Sequence, residues 1–138
     1  MAYEESLKSV SLDADSSLAT YTGVPQTPGA ADPNSGHQYK FVKVTGRHQV
    51  GLATAATNEL VVGVLQNKPQ VTGQAATVAI SGITLVRASA ALAAGDGVKV
   101  SADGRAAKAT PGTDVSIGVV ITPAAGADKL ASVLLRVN

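Results

Sequence analysis

The alternation of hydrophobic and polar positions predicts a chain built almost entirely from short β-strands. Its clearest stretch is residues 78–100, in which a strand is followed by a short crossover and a second strand. Apolar and small residues alternate up to Gly82, where the phase shifts so that Ile83 and Leu85 carry the apolar face. One slip of phase at a glycine is typical of a β-bulge. The alanine-rich residues 88–97 are too short for a stable helix and predict a tight loop or a single helical turn.

The remaining strands follow the same period of two, and no segment shows sustained helical periodicity. Glycine and proline separate the apolar runs, and Asp103-Gly104 is a favoured hairpin dipeptide. This pattern predicts a mostly β fold, a small β-barrel or β-sandwich. The predicted strands cover residues 39–44, 48–52, 60–65, 74–85, 98–100, 115–122 and 130–137.

Two parts of the chain repeat one order of elements, which predicts pseudo-repeated hairpins. In each copy a strand meets a glycine-containing turn, an apolar strand with a central glycine follows, and another strand comes after a Pro/Gly loop. Gly63 corresponds to Gly118, and Val78 to Val133. Two copies are too few for a solenoid and favour a pseudo-symmetric barrel or sandwich. The alternative is that short hairpins share a Val/Gly/Ala composition by chance.

Residues 1–35 differ from the β-rich body predicted for residues 36–138. Three prolines, Pro25, Pro28 and Pro33, disfavour helix and remove ladder donors, so this segment is predicted to be an extended Pro/Gly-rich N-terminal arm. A partner surface or a neighbouring subunit is the natural candidate to hold it. Tyrosines anchor interfaces well, because the ring is large and its tip is polar. The alternative is that Tyr39 is a core residue and that Tyr3 and Tyr21 have no interface role. The candidate residues for a partner or subunit interface are Tyr3, Leu12, Tyr21, Val24, Pro25 and Tyr39.

Composition narrows the possible functions. The formal net charge is +1 and the 11 basic residues are scattered, which argues against direct nucleic-acid binding. No apolar run approaches the length of a membrane span, and the acidic start does not resemble a signal peptide, so we expect a soluble protein made in a cytosol. With 1 Phe, 3 Tyr and no Trp, the core is built from small aliphatic residues. A thin core favours self-association or docking on a larger body.

No catalytic constellation is apparent, so we predict a protein that is not an enzyme and has no cofactor or metal. The two histidines, His37 and His48, share no helix face, and no Gly-x-Ser-x-Gly elbow occurs. Residues 13–16 lack the spaced ligands of a calcium loop. Residues 95–97 contain a lone Gly-x-Gly, which predicts a turn rather than a dinucleotide site. There is also no cysteine for thiolate chemistry.

Four short motifs give the chain a resemblance to a known group. They are LVVGV at 60–64, GQAATVAISG at 73–82, ALAAGDGVKV at 91–100 and IGV at 117–119. In this order they resemble the small capsid decoration, or cement, proteins of tailed bacteriophages. The resemblance covers about residues 40–137, and residues 1–35 have no part in it.

The resemblance implies a structural virion protein that binds the outer surface of the expanded phage capsid. Such a protein would clamp neighbouring major capsid proteins, be a homotrimer, and stabilise the head by burying area across capsomer boundaries. An alternative is a small β-rich tail, fibre or host-surface module that binds carbohydrate, although the scarcity of aromatics disfavours sugar stacking. A third possibility is a β-clip domain associated with an enzyme, which would need a catalytic partner domain.

Overall fold

The fold is that of a computed structural model, which describes residues 7–18, 36–55 and 59–136. All regular secondary structure in these ranges is β, and no helix occurs in them, as the sequence predicts. The strands form a 9-stranded sheet with the order β1-β3-β2-β4-β5-β9-β8-β6-β7. Their bounds are β1 Lys8–Ala14, β2 Phe41–Gly46, β3 Gln49–Leu52, β4 Val61–Leu65, β5 Ala75–Arg87, β6 Gly97–Val100, β7 Ala106–Lys108, β8 Gly118–Thr122 and β9 Leu130–Leu135.

The first five strands close into a barrel, which we call the first unit. Its β1 pairs antiparallel with the first part of β5, from Lys8 opposite Ser81 to Asp13 opposite Ala75. The end of β1 also pairs parallel with β3, which closes the order β1-β3-β2-β4-β5 on itself. Closure therefore gives the end of β1 a strand partner on each side, β5 and β3.

The second unit repeats this plan with the remainder of β5 in the place of β1. From Gly82 onward β5 pairs antiparallel with β9, and the order continues through β8 and β6 to β7. A parallel bridge between Ala88 and Ala106 closes the unit, and the Ser89 amide donates a 2.8 Å hydrogen bond to the Ala106 carbonyl. A single 13-residue strand therefore ends one unit and begins the next.

Matching hydrogen bonds show that the repeat is structural. In the first unit the Ala14 amide donates to Gln74 and the Ala14 carbonyl accepts from Gly73. In the second unit Ala88 makes the same two bonds with Lys129 and Asp128. Residues 73 and 128 both have positive φ, 88° and 63°. The predicted repeat is thus confirmed, with two glycines in equivalent pairs, Val42 opposite Gly63 and Val98 opposite Gly118.

The correspondence extends through the turns and shows where the two units differ in length. The turn from His37 to Lys40 closes with a 3.0 Å backbone hydrogen bond, and the equivalent turn from Ala93 to Asp96 closes with one of 3.1 Å. Counting onward from Ala14 and Ala88, Leu18 is the counterpart of Leu92, and both are buried. Because Leu92 directly precedes Ala93, the 18 residues 19–36 have no counterpart in the second unit.

Two apolar clusters form the core. One lies inside the first unit. The other combines the interior of the second unit with side chains from the outside of the first, namely Phe41, Ala53, Val64 and Ala79. The outer surface of the first unit is therefore buried against the second. The interior of the first unit contains Ala14, Leu18, Val42, Val50, Leu65, Ala76 and Val78.

Two sequence interpretations change, and a third is narrowed. Gly82 has a φ of 98° and marks the point where β5 passes between units, but Ile83 and Leu85 face outward while Thr84 and Val86 are buried. Residues 88–97 contain no helical turn, which leaves the loop of the two predicted alternatives. The segment predicted as an arm includes β1, which belongs to the sheet. The rest of residues 1–35 apart from 7–18 lies outside the described residues, so the boundary at residue 35 stays a prediction.

Candidate interaction surface

An apolar patch lies on the outside of the second unit, on strands β5, β9 and β8, beside the polar residues Ser132 and Arg87. In one row across three strands, Ile83 lies opposite Leu134, which lies opposite Val119. Directly opposite side chains on one sheet face contact each other, so these residues form a single patch rather than scattered exposed positions. Four members of the patch are between 39% and 48% exposed. We call this patch the apolar face; it consists of Ile83, Leu85, Val119, Ile121, Leu130 and Leu134.

The equivalent surface of the first unit is polar or covered. Where the second unit has Ile83 and Leu85 on β5, the first has Ser9 and Ser11 on β1. Position 134 corresponds to Ala79, which is buried by the second unit. The two outer surfaces thus share a backbone plan and differ in polarity and cover.

One end of the first unit exposes apolar side chains that belong to its interior rows. Val10 follows the register of the inward-facing Leu12, and Val44 that of the buried Val42. They are nevertheless 38% and 46% exposed. We call these two residues the open end.

In the second unit the counterparts of the open end are covered. Thr84 occupies the position of Val10 and is 4% exposed, with its hydroxyl accepting a 2.8 Å hydrogen bond from Gln66 Nε2 of the first unit. Val100 occupies the position of Val44 and packs against the cluster that joins the units. Within the chain, the outside of the first unit therefore caps one end of the second.

A polar cluster lies beside this junction. Lys40 Nζ lies 3.2 Å from His37 Nδ1, so the ring nitrogen accepts when the imidazole is neutral. Nearby, Arg105 joins two turns by pairing with Asp103 at 2.7 Å and with Asp128 at 3.1 Å. The Lys40–His37 contact lies within the turn before β2, and the ion pairs of Arg105 lie within the second unit. The start of β2 is attached to the second unit by the hydrogen bond from the Phe41 amide to the Gly104 carbonyl.

The pKa shifts in the cluster follow from burial and from like charges. Partial burial lowers the pKa of His37, and the charges of Lys40 and Arg87 lower it further. Burial also lowers the pKa of Lys40, with Asp103 opposing the shift. Burial raises the pKa of Asp103, but hydrogen bonds from Ser101 and Arg105 outweigh it and leave the pKa below its usual value. The lowered pKa values of His37 and Asp103 therefore favour a neutral imidazole beside an ionised carboxylate.

In the first unit the carboxylate of Asp15 and the hydroxyl of Ser17 connect the end of β1 to β3. We call this arrangement the latch, and the second unit lacks it. Asp15 accepts hydrogen bonds from the amide and hydroxyl of Ser17, whose oxygen accepts a 2.8 Å bond from the Leu52 amide. A Cβ at Gly51 would collide with the Asp15 carboxylate. In the second unit the equivalent positions are Ser89 and Ala107, and the serine hydroxyl donates to the Ala106 carbonyl. The latch explains why the third position of β3 is glycine.

Of the predicted interface residues, the structure describes two. Leu12 is half-buried on β1 and packs against the interior of the first unit. Tyr39 is half-buried with a φ of 67° in the turn before β2, so the strand begins two residues later than predicted. Its amide donates to Leu65 and its carbonyl accepts from Arg87. Tyr3, Tyr21, Val24 and Pro25 lie outside the described residues, and the role of all six in an interface stays a prediction.

Sequence reasoning placed Ile83 and Leu85 on one apolar face but did not identify that face as exposed, although a signal for this was present. The second half of β5 has large aliphatic residues in both phases, Ile83 and Leu85 in one and Val86 in the other. A strand that is apolar on both sides is covered on both sides. This pattern points to a partner for the outer side.

The described residues were also searched for metal sites and membrane-spanning helices. Within residues 7–18, 36–55 and 59–136, no three His, Asp or Glu side chains are grouped to hold a metal ion. In the same ranges no helix is long and apolar enough to cross a membrane.

Comparisons with known proteins place the fold. Neither a scan against models of protein families nor a search of curated protein sequences finds a match to the chain. Among solved structures, the N base of the head fibre gp8.5 in bacteriophage phi29 is similar, with a TM-score of 0.55 and 14% sequence identity. The similarity covers 94% of each chain. At this identity the similarity establishes a shared fold, which spans both units rather than one.

Proposed function

We propose that this protein is a structural protein of a phage virion that binds the outer surface of the expanded head. The main support is the likeness over 94% of both chains to the base of a phage head fibre. The motifs between residues 60 and 119 resemble those of capsid decoration proteins, which is a separate line of support. In this role the protein acts by binding and is not an enzyme.

On the head, the protein would stabilise the lattice by bridging neighbouring major capsid proteins, and it would do so as a homotrimer. The apolar face and the open end supply surfaces for contacts of this kind, because aliphatic groups exposed together gain free energy when they are covered. Many copies, each adding a small buried area across capsomer boundaries, together oppose the pressure of packaged DNA.

Co-sedimentation with phage heads tests the proposal. Purified protein is mixed with expanded, undecorated heads and, in parallel, with unexpanded proheads. We expect saturable binding to the expanded heads only, because the outer lattice that the protein bridges forms on expansion. Failure to bind either particle would contradict the proposal and would favour a tail, fibre or host-surface module.

A deletion variant tests whether residues 19–36 take part in head binding. The second unit passes directly from Leu92 to Ala93, so joining Leu18 to His37 reproduces a connection that the fold already contains. We expect this variant to fold and to lose occupancy on expanded heads. Unchanged occupancy of the folded variant would assign binding to the strands instead.

A further inference from the structure

Within the chain, the outside of the first unit packs against one end of the second unit. We call this contact the joint. Inside the molecule, Phe41, Val64 and Ala79 on the outside of the first unit are buried against the second unit. The end of the second unit that receives them includes Thr84 and Val100. This joint defines which surface of a unit fits which end of the next.

The outside of the second unit repeats the β4 and β5 part of the covered surface, without a cover from the described residues, whereas the counterpart of Phe41 is Gly97. Val119 corresponds to Val64 and Leu134 to Ala79, because each pair has the same partner register around Gly118 and Gly63. Both Val119 and Leu134 are only half-buried, and beside them Ile83 and Ile121 are exposed. The side chains here are larger than the alanine and serines of the first unit.

The open end of the first unit repeats the receiving end, and it too lacks a cover from the described residues. Val10 and Val44 are the counterparts of Thr84 and Val100. They are exposed, whereas Thr84 is buried and Val100 packs on the shared cluster. The molecule therefore displays an unfilled receiving end in its first unit and an uncovered apolar surface on its second.

We infer that the apolar face of one copy of this protein binds the open end of a second copy, in the way the first unit caps the second within the chain. The contact is heterologous, because two different surfaces meet. It names the surfaces for the self-association proposed above and does not depend on binding to a phage head. A second copy is the occupant because the covered counterparts show a unit of this same fold in that place.

Two variants separate the halves of the joint. Leu134→Glu places a charge on the apolar face, and Val44→Glu places one at the open end. Each should weaken self-association of the full-length protein roughly a hundredfold or more, because an unpaired charge would be buried in the contact. Val71→Glu is the matched control, since Val71 is an equally exposed aliphatic residue in a turn that belongs to neither surface. It should leave the association unchanged.

Sedimentation velocity across a range of protein concentrations, without phage heads, measures the effect. The decisive sample is an equimolar mixture of the two variants. Val44→Glu retains an intact apolar face and Leu134→Glu an intact open end, so the mixture should form a one-to-one dimer that neither variant forms alone. A face-to-face contact between identical surfaces would give no such rescue.

Three outcomes would overturn the inference: a monomeric unmodified protein, variants that associate like the control, or a mixture without dimers. Unfolding midpoints close to that of the unmodified protein establish that each variant is folded. Head binding is assayed separately. Absence of self-association together with head binding would contradict the inferred contact between copies and support the proposed virion role. Self-association without head binding would support that contact and contradict the virion role.

Discussion

The two units share one backbone plan, but their outer surfaces differ in polarity. At equivalent positions of β1 and β5, the first unit places Ser9 and Ser11 outside and the second places Ile83 and Leu85. Inside, aliphatic residues persist, with Val78 and its counterpart Val133 both fully buried. The interior side chains and the backbone hydrogen bonds thus specify the fold. The polarity of the outer positions is not constrained by the fold and depends on what contacts the unit from outside.

The units also differ in how much space a Cβ atom would have at two equivalent glycines, Gly63 and Gly118. A Cβ at Gly63 would overlap the Ala79 carbonyl, which is backbone, whereas one at Gly118 would lie 2.6 Å from a methyl group of Val133 and 2.9 Å from the Leu134 carbonyl. The first approach is the tighter of the two. This difference makes the glycine pair the most sensitive comparison of the units.

The largest effect is expected from Gly63→Ala, which should cost about 3 kcal/mol or more, because strands β4 and β5 must separate. Gly118→Ala should cost less, in the range of about 1–3 kcal/mol, because the valine can adjust. Urea unfolding measures both. Gly126→Ala is the control, since its Cβ would meet nothing within 4 Å. An equal decrease in the free energy of unfolding for all three variants would contradict a close approach of neighbouring strands at Gly63 and Gly118.

An intermediate effect is expected from Gly51→Ala, which displaces the Asp15 carboxylate from its hydrogen bonds with Ser17. The cost should be about 1–2 kcal/mol. Combining it with Asp15→Ser reproduces the pair found in the second unit, so the double variant should lose less than the sum of the two single losses. A double-mutant cycle from urea unfolding gives this coupling. Additive losses would show that the carboxylate does not determine the glycine.

The smallest effect is expected from pH. The pKa of His37 is lower in the folded protein, so the unfolded chain binds more protons and stability falls as the pH drops below about 6.5. The effect should stay below about 1 kcal/mol, because the half-exposed ring is screened by solvent. His37→Gln should reduce the slope of stability against pH between about 6.5 and 5. An unchanged slope in the His37→Gln variant would contradict the assignment of this pH dependence to His37.

The repeat and most strands could be predicted from the sequence, because period two and the glycine spacing are local signals. The spacing of Gly63 and Gly118 survives in the structure as equivalent strand pairs. β1 was missed because its alternation of serines with Val10 and Leu12 is weakly apolar. Its partners in β5 lie more than 60 residues away, and no local pattern reports such a pairing.

The candidate surface could be predicted only in part, because periodicity shows that two faces differ and not which one is inside. Ile83 and Leu85 do form an apolar face, yet closure of the second unit places Thr84 and Val86 inside. The inside is decided by the bridge from Ala88 to Ala106, a contact between distant segments. Once that closure is known, the alternation along the second half of β5 shows which of its residues face outward.

The continuity of β5 has a geometric consequence for any assembly of this protein. Since one strand of 13 residues serves both units, there is no linker, and turning one unit against the other would break ladder hydrogen bonds to β1, β4 or β9. The angle between the two outward surfaces is therefore a fixed property of each subunit. In a head-to-tail series each such rigid subunit adds the same rotation, so the series closes into a ring of one subunit number where that rotation divides a full turn, and otherwise extends as an open filament.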